Sequence, residues 1–161
     1  MPLLSVFEVA PLVDGRQSPA ALRVRRGTAR LLRDLGFAVV PELTLSCGRR
    51  ADLVGVGAQG DVVIVEIKSS LADFRADGKW QHYKRACDRL YFATLPEVGD
   101  VFPRDEGLIL TDGYDATIVR EAPARRVPAP QRRAMHLRVA QTAARRLHEI
   151  EDPQPRHALA V

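Results

Sequence analysis

Glu66-Ile67-Lys68 closes the apolar run Val62-Val63-Ile64-Val65, and Asp52 stands on the apolar segment before it. Alternation along a strand sends Glu66 and Lys68 to one face and Ile67 to the other. If the two segments pair as a hairpin through Gly57-Ala58-Gln59-Gly60, three charged groups converge at neighbouring strand ends. Two carboxylates and an ammonium are costly to place among residues that read as buried. A divalent cation and a phosphate would relieve that cost, so the pattern points to phosphodiester chemistry. The same three charges could instead form a structural ion cluster.

The elements that must position these groups follow from local chemistry. Residues 1–18 mix Pro, Gly, Asp and Ser without period and read as a lead-in. Ser18 is a helix N-cap with Pro19 at the first helical position, and Gly36 ends the helix Pro19 to Leu35. Leu22, Ala29, Leu31, Leu32 and Leu35 are its apolar residues, set among arginines. Phe37 to Leu45 is a strand broken or bulged at Pro41. Arg49 to Val56 and Asp61 to Lys68 make the hairpin. Ser69, Ser70 and Asp73 start a helical stretch that Gly78 divides, with Lys79 to Asp88 as its second piece. Arg89 to Thr94 is a fourth strand, and Gly107 to Thr111 and Ala116 to Arg120 are a last pair. Pro123, Pro128 and Pro130 form a connector to a final helix, Gln131 to Ile150, expected to pack by Leu137, Ala140, Ala144 and Leu147. Residues 19–120 thus read as one domain, with 121–161 as connector and helix packed on it.

Composition narrows the class. The 161 residues suffice for one domain with a sizeable core. No apolar stretch is long enough to span a bilayer, and the start lacks a secretory pattern. Cys47 and Cys87 lack CxxC spacing and suit free thiols in a reducing cytoplasm. Residues 1–119 hold 15 Lys/Arg against 16 Asp/Glu, whereas 120–148 hold eight arginines and one acid, Glu121. A near-neutral core therefore carries a basic arm, which suits a polyanionic partner.

An acid on the second strand, Glu-x-Lys on the third, one helix before and one after resembles the PD-(D/E)XK nuclease superfamily. The strings Gly48-Arg49-Arg50-Ala51-Asp52, Ile64-Val65-Glu66-Ile67-Lys68-Ser69-Ser70, Asp73-Phe74-Arg75-Ala76-Asp77 and Lys79-Trp80 resemble the MmcB-like DNA repair proteins within it. The resemblance runs from about Val24 to Leu147. It implies an α/β restriction-endonuclease-like fold, with a three-layer core and a central mixed sheet flanked by helices. It also implies Mg²⁺ or Mn²⁺ held by Asp52, Glu66 and the Ile67 carbonyl. Lys68 would then orient or deprotonate a water, or stabilise the transition state. Two departures stand out: Ala51 replaces the proline of the superfamily name, and the first helix has no glutamate. Glu42 is the nearest substitute as an extra ligand, or else an exposed strand carboxylate.

The implied activity is a metal-dependent deoxyribonuclease in DNA repair, in the cytoplasm at the nucleoid, with DNA and other repair proteins as partners and no membrane. The alternative is a non-catalytic DNA-binding accessory protein on the same fold. Arg49, Arg50, Ser69, Ser70, Lys79 and Gln81 are placed to meet a backbone phosphate, although Arg49 or Arg50 could pair with Asp61 and the helix residues could be solvated. Trp80 could stack on a base or belong to the core. Arg132, Arg133, Arg138, Arg145 and Arg146 could grip a duplex backbone or solvate the outside of the last helix.

Overall fold

A computed structural model of the chain describes residues 17–153, so the expected lead-in lies outside the described residues except for Gln17 and Ser18. The elements run α1 (Pro19–Asp34), β1 (Ala38–Thr44), β2 (Arg50–Val56), β3 (Val62–Ile67) and α2 (Leu71–Ala76). A 3-10 stretch (Lys79–Arg85) follows, then β4 (Arg89–Thr94), a short 3-10 turn (Pro96–Val98), β5 (Gly107–Thr111), β6 (Ala116–Arg120) and α3 (Ala129–Glu151). The order matches the sequence reading. The difference is that Lys79–Arg85 winds as 3-10 rather than α-helix.

The strands form one sheet in chain order, β1-β2-β3-β4-β5-β6. β1, β2 and β3 are antiparallel neighbours, β3, β4 and β5 run parallel, and β6 returns antiparallel to β5. The parallel trio is the mechanical centre: β3 is covered on both faces, so Val62 to Val65 are all buried. Helix α1 covers one face, where Val24 and Leu32 meet Leu53, Val63, Val65, Tyr91 and Ile109. The other face packs Trp80, Tyr83 and, from α3, Met135 against Val54, Ile64, Leu90 and Phe92. Phe92 stacks on Phe102 and meets Trp80 and Phe74 edge-on, so Trp80 is a core residue. The result is a three-layer α/β core with a mixed sheet.

Two strands change phase together. Val40 and Leu43 of β1 lie on the same face although three residues apart, as do Ala51 and Val54 of β2. The reset falls at Glu42, which has φ 53°, and at Asp52 opposite it. Pro41 pairs with Leu53 and Leu43 with Ala51, but Glu42 and Asp52 make no ladder pair. Pro41, where the strand is expected to break or bulge, keeps its register, and the distortion is at the next residue. A non-glycine residue in the left-handed region is held there only by strong surroundings.

Helix α3 is rotated relative to the sequence reading. Leu137, Leu147 and Ile150 are 58%, 57% and 75% exposed, and Ala140 and Ala144 are exposed too, so the expected packing stripe faces outward. The face on the sheet carries Met135 and three arginines. Arg132 forks onto Asp88, with Nη1 to Oδ2 at 2.8 Å and Nη2 to Oδ1 at 2.6 Å, and also reaches the Gly60 carbonyl at 2.8 Å. Arg138 donates to the Thr44 carbonyl at 3.2 Å, and Arg146 donates to the carbonyls of Pro41 and Glu42. Bidentate guanidinium bonds to a carboxylate and bare carbonyls explain the inversion, because the stems of these arginines cover apolar surface while their heads dock. No helix among the described residues is long and apolar enough to cross a membrane.

Candidate active site at the strand ends

Parity in β3 sends Glu66 to the face of Val62 and Ile64, where it is 3% exposed, and Lys68 beyond it is 6% exposed. Ile67 faces α1, as alternation requires. Lys68 is held through its backbone: its N–H donates to the Ala93 carbonyl at 3.0 Å, and the buried Thr94 hydroxyl donates to its carbonyl at 2.6 Å. β2 supplies Asp52, whose phase change turns it toward the end of β3. Its Oδ2 accepts the Ile67 N–H at 2.8 Å, and its own N–H lies 3.5 Å from Glu66 Oε1. Tyr83 secures the start of β2 by donating to the Arg50 carbonyl at 2.9 Å. The hairpin thus brings Asp52, Glu66 and Lys68 together as the residue pattern requires.

A fourth member was not assigned from sequence. Asp77, just past α2, accepts from Lys68 Nζ at 2.6 Å, whereas Glu66 Oε2 is 3.6 Å away. The Asp77 carboxylate also accepts the Lys79 N–H at 2.7 Å. Burial alone would push the Lys68 ammonium down, but Asp77 and Glu66 outweigh it and hold it above its ordinary value. Asp52 is shifted upward by burial. Glu66 is pushed up to about 9, by burial first and then by the Asp52 charge.

The other proposed contacts are distributed more widely. Glu42 belongs to a cation cluster: Arg50 Nε lies 2.6 Å from its Oε2, Arg25 lies 3.8 Å from Oε1, and the Gln17 amide donates to it. Arg50 therefore pairs with Glu42 rather than Asp61. Ser70 caps α2 by accepting the Asp73 N–H at 3.1 Å, and Ser69 donates to the Asp73 carboxylate at 2.6 Å. Lys79 and Gln81 are exposed on the 3-10 stretch, and Arg49 is half-buried. Of the five arginines singled out on α3, Arg132, Arg138 and Arg146 fasten the helix to the sheet, Arg133 is exposed and Arg145 half-buried.

Whether a divalent cation suits this site can be judged by how the fold treats its other buried carboxylates. Glu106, wholly buried, has Lys84 at 2.5 Å and Arg125 at 2.8 Å. Glu42 has Arg25 and Arg50. Among the described residues, Glu66 has one ammonium at 3.6 Å, Lys68, which lies closer to Asp77, and Asp52 makes no ion pair and feels Lys68 and Arg50 only at longer range. The pair is short of positive charge, and its donors are the hard oxygens that Mg²⁺ or Mn²⁺ takes. Among the described residues no three His, Cys, Asp or Glu side chains enclose a metal, so water and backbone would complete the ligand set.

The chain matches the family described as "DNA repair protein MmcB-like" over residues 8–154. Among solved structures it is similar to the SPO1766 protein of unknown function from Silicibacter pomeroyi. That match has 39% identity and a TM-score of 0.83, covering 89% of this chain and 99% of that one. No curated protein matches. A family match across nearly the whole length, with the same fold in a relative of this identity, leads to one conclusion: the chain belongs to the MmcB-like family of DNA repair proteins.

Proposed function

We propose that this protein is a divalent-metal-dependent DNA phosphodiesterase acting in repair. The observation that carries the reading is the charge deficit at Asp52 and Glu66, in a fold that gives Glu106 and Glu42 two cations each. Asp52, Glu66 and the Ile67 carbonyl would hold Mg²⁺ or Mn²⁺, which when bound activates a water and offsets charge on the phosphate. Lys68, its ammonium held 2.6 Å from Asp77 and 3.6 Å from Glu66, would orient or deprotonate the water or stabilise the charge on the phosphate. Asp77 holds that ammonium beside Glu66 and so orients it. The exposed Lys79 and Gln81 are the nearest candidates to contact the adjoining backbone phosphates. Hydrolysis joins the water oxygen to phosphorus and releases a sugar hydroxyl.

The test combines calorimetry with cleavage assays. Wild type, Asp52→Asn with Glu66→Gln, and Lys68→Ala are titrated with Mn²⁺ and incubated with duplex, single-stranded and branched DNA. The double variant is expected to lose metal binding and cleavage. Lys68→Ala is expected to keep the metal and lose about 10²-fold or more in rate. Unchanged metal affinity in the double variant would sink the assignment. Metal binding without cleavage of any DNA by wild type would favour the DNA-binding accessory role.

A further inference from the structure

Three of the five arginines singled out on α3 are spent on docking it, which directs attention to the other helix. Helix α1 carries Arg23, Arg26 and Arg30 at spacings of three and four, which places them on one face. That face lies over the β5–β6 turn. Arg23 donates to the Asp112 carbonyl at 3.0 Å, and the guanidiniums of Arg26 and Arg30 stand 5.5 and 5.2 Å from the centre of the Tyr114 ring. Tyr114 is nevertheless 67% exposed. An aromatic ring held by two cations and still open to solvent matches the way proteins receive a nucleobase.

The turn presents the ring in a set position. The Asp112 carboxylate accepts the N–H groups of Tyr114 at 2.8 Å and Asp115 at 2.9 Å, which fixes the turn while the residue stays exposed. The Thr111 hydroxyl accepts the Gly113 N–H at 3.0 Å and donates to the Asp115 carbonyl at 2.7 Å. Gly27 lets α1 press onto this turn, since a Cβ there would fall 2.0 Å from Thr111 Oγ1. Asp112 and Asp115 are both exposed, so the turn sets two anions of its own beside the three arginines. β3, β4 and β5 run parallel, so the turn after Thr111 opens on the same sheet edge as Lys68, two strands away.

We infer that Arg23, Arg26, Arg30 and Tyr114 form a single-strand platform: an unpaired base stacks on Tyr114 while the arginines meet the flanking phosphates. The ligand class is single-stranded DNA or an unpaired end leading toward the carboxylate site. The inference rests on the DNA reading of that site for its ligand class, and a duplex cannot use the ring without unstacking a base. It does not depend on hydrolysis.

The experiment is fluorescence anisotropy with a labelled single-stranded oligonucleotide and a blunt duplex, in EDTA, so that no cleavage enters. Wild type, Tyr114→Phe, Tyr114→Ala and Arg26→Gln with Arg30→Gln are compared, with thermal melting as the fold control. Tyr114→Ala is expected to weaken single-strand binding about tenfold. Tyr114→Phe should bind as wild type, and duplex affinity should change less than about twofold in either. The arginine variant should flatten the dependence of log affinity on log salt by about 0.7 per lost phosphate contact. Wild-type affinity in Tyr114→Ala, equal loss for duplex and single strand, or a wild type that binds no single strand would each overturn the platform. Cleavage with an idle Tyr114 overturns the platform and leaves the nuclease standing. Tyr114-dependent binding with no cleavage upholds the platform and removes the nuclease.

Discussion

Replacing Arg132 by Gln tests whether the basic helix is fastened by its arginines or merely decorated with them. Gln keeps helix propensity close to that of Arg, so the change isolates the side chain's head. The guanidinium makes two bonds to Asp88 and one to the Gly60 carbonyl. A hydrogen bond to a charged partner contributes about 1.5–3 kcal/mol, and the bonds of one fork do not add in full. Arg132 is 27% exposed and Asp88 14%, so water screens part of the attraction. Asp88 also keeps the N–H groups of Val62 at 2.7 Å and Val127 at 3.3 Å, so it is not orphaned. The net cost is about 2–3 kcal/mol, which for a chain of this size lowers Tm by roughly 5–10 °C. Burial pushes the Asp88 carboxyl up, but Arg132 and the two amides more than offset it, and its pKa lies below the ordinary value. The stabilisation is therefore complete above that ordinary value and disappears as pH falls through the lowered one. Calorimetric melting of wild type, Arg132→Gln and the exposed control Arg133→Gln, at neutral and strongly acid pH, reads this out. Arg133→Gln should stay within about 0.5 kcal/mol. A Tm for Arg132→Gln within a degree of wild type, or a gap that does not shrink in strong acid, would refute the argument.

Three further outcomes follow from particular contacts. Gly27→Ala should destabilise by about 1–3 kcal/mol despite the better helix propensity of Ala, because the new methyl meets Thr111 Oγ1, whose rotation would break the turn; denaturant titration showing a gain would remove the close approach of α1. Met135→Ala should cost about 2–4 kcal/mol, whereas Leu137→Ala and Leu147→Ala should each stay within about 0.5 kcal/mol, since only Met135 is buried; the reverse ranking would mean α3 packs by its leucines. Asp77→Asn should cost about 1–2 kcal/mol and lower the Lys68 pKa, because the nearest anion is neutralised; an unchanged lysine titration by nitrogen-detected NMR would show that the pair does not form.

Much of the site was legible because it depends on short-range rules. Period-two alternation places Glu66 and Lys68 together, Gly57 to Gly60 supply the hairpin turn, and Ser18 with Pro19 starts α1. Spacing alone gives Asp77 no task, because its meeting with Lys68 depends on how the chain leaves α2. A signal for the Tyr114 platform was present in the spacing of Arg23, Arg26 and Arg30, but their partner lies some ninety residues away.

The sequence by itself determined the element order, the free thiols and the meeting of Asp52 with Glu66-Ile67-Lys68, since caps, turns and alternation act over a few residues. Only the tertiary structure decided which face of α3 is inside. Hydrophobic periodicity counts Leu137 and Leu147 as inward and arginine as outward, but Arg132, Arg138 and Arg146 find Asp88 and the carbonyls of Thr44, Pro41 and Glu42 across the sheet. It likewise decided that, among the described residues, Glu42 and Glu106 receive two cations each while Glu66 has one and Asp52 makes no ion pair. Charge compensation is a property of neighbours in space. Its shortfall at the strand ends, where two carboxylates are desolvated together, arises only once β1, β2 and β3 lie side by side.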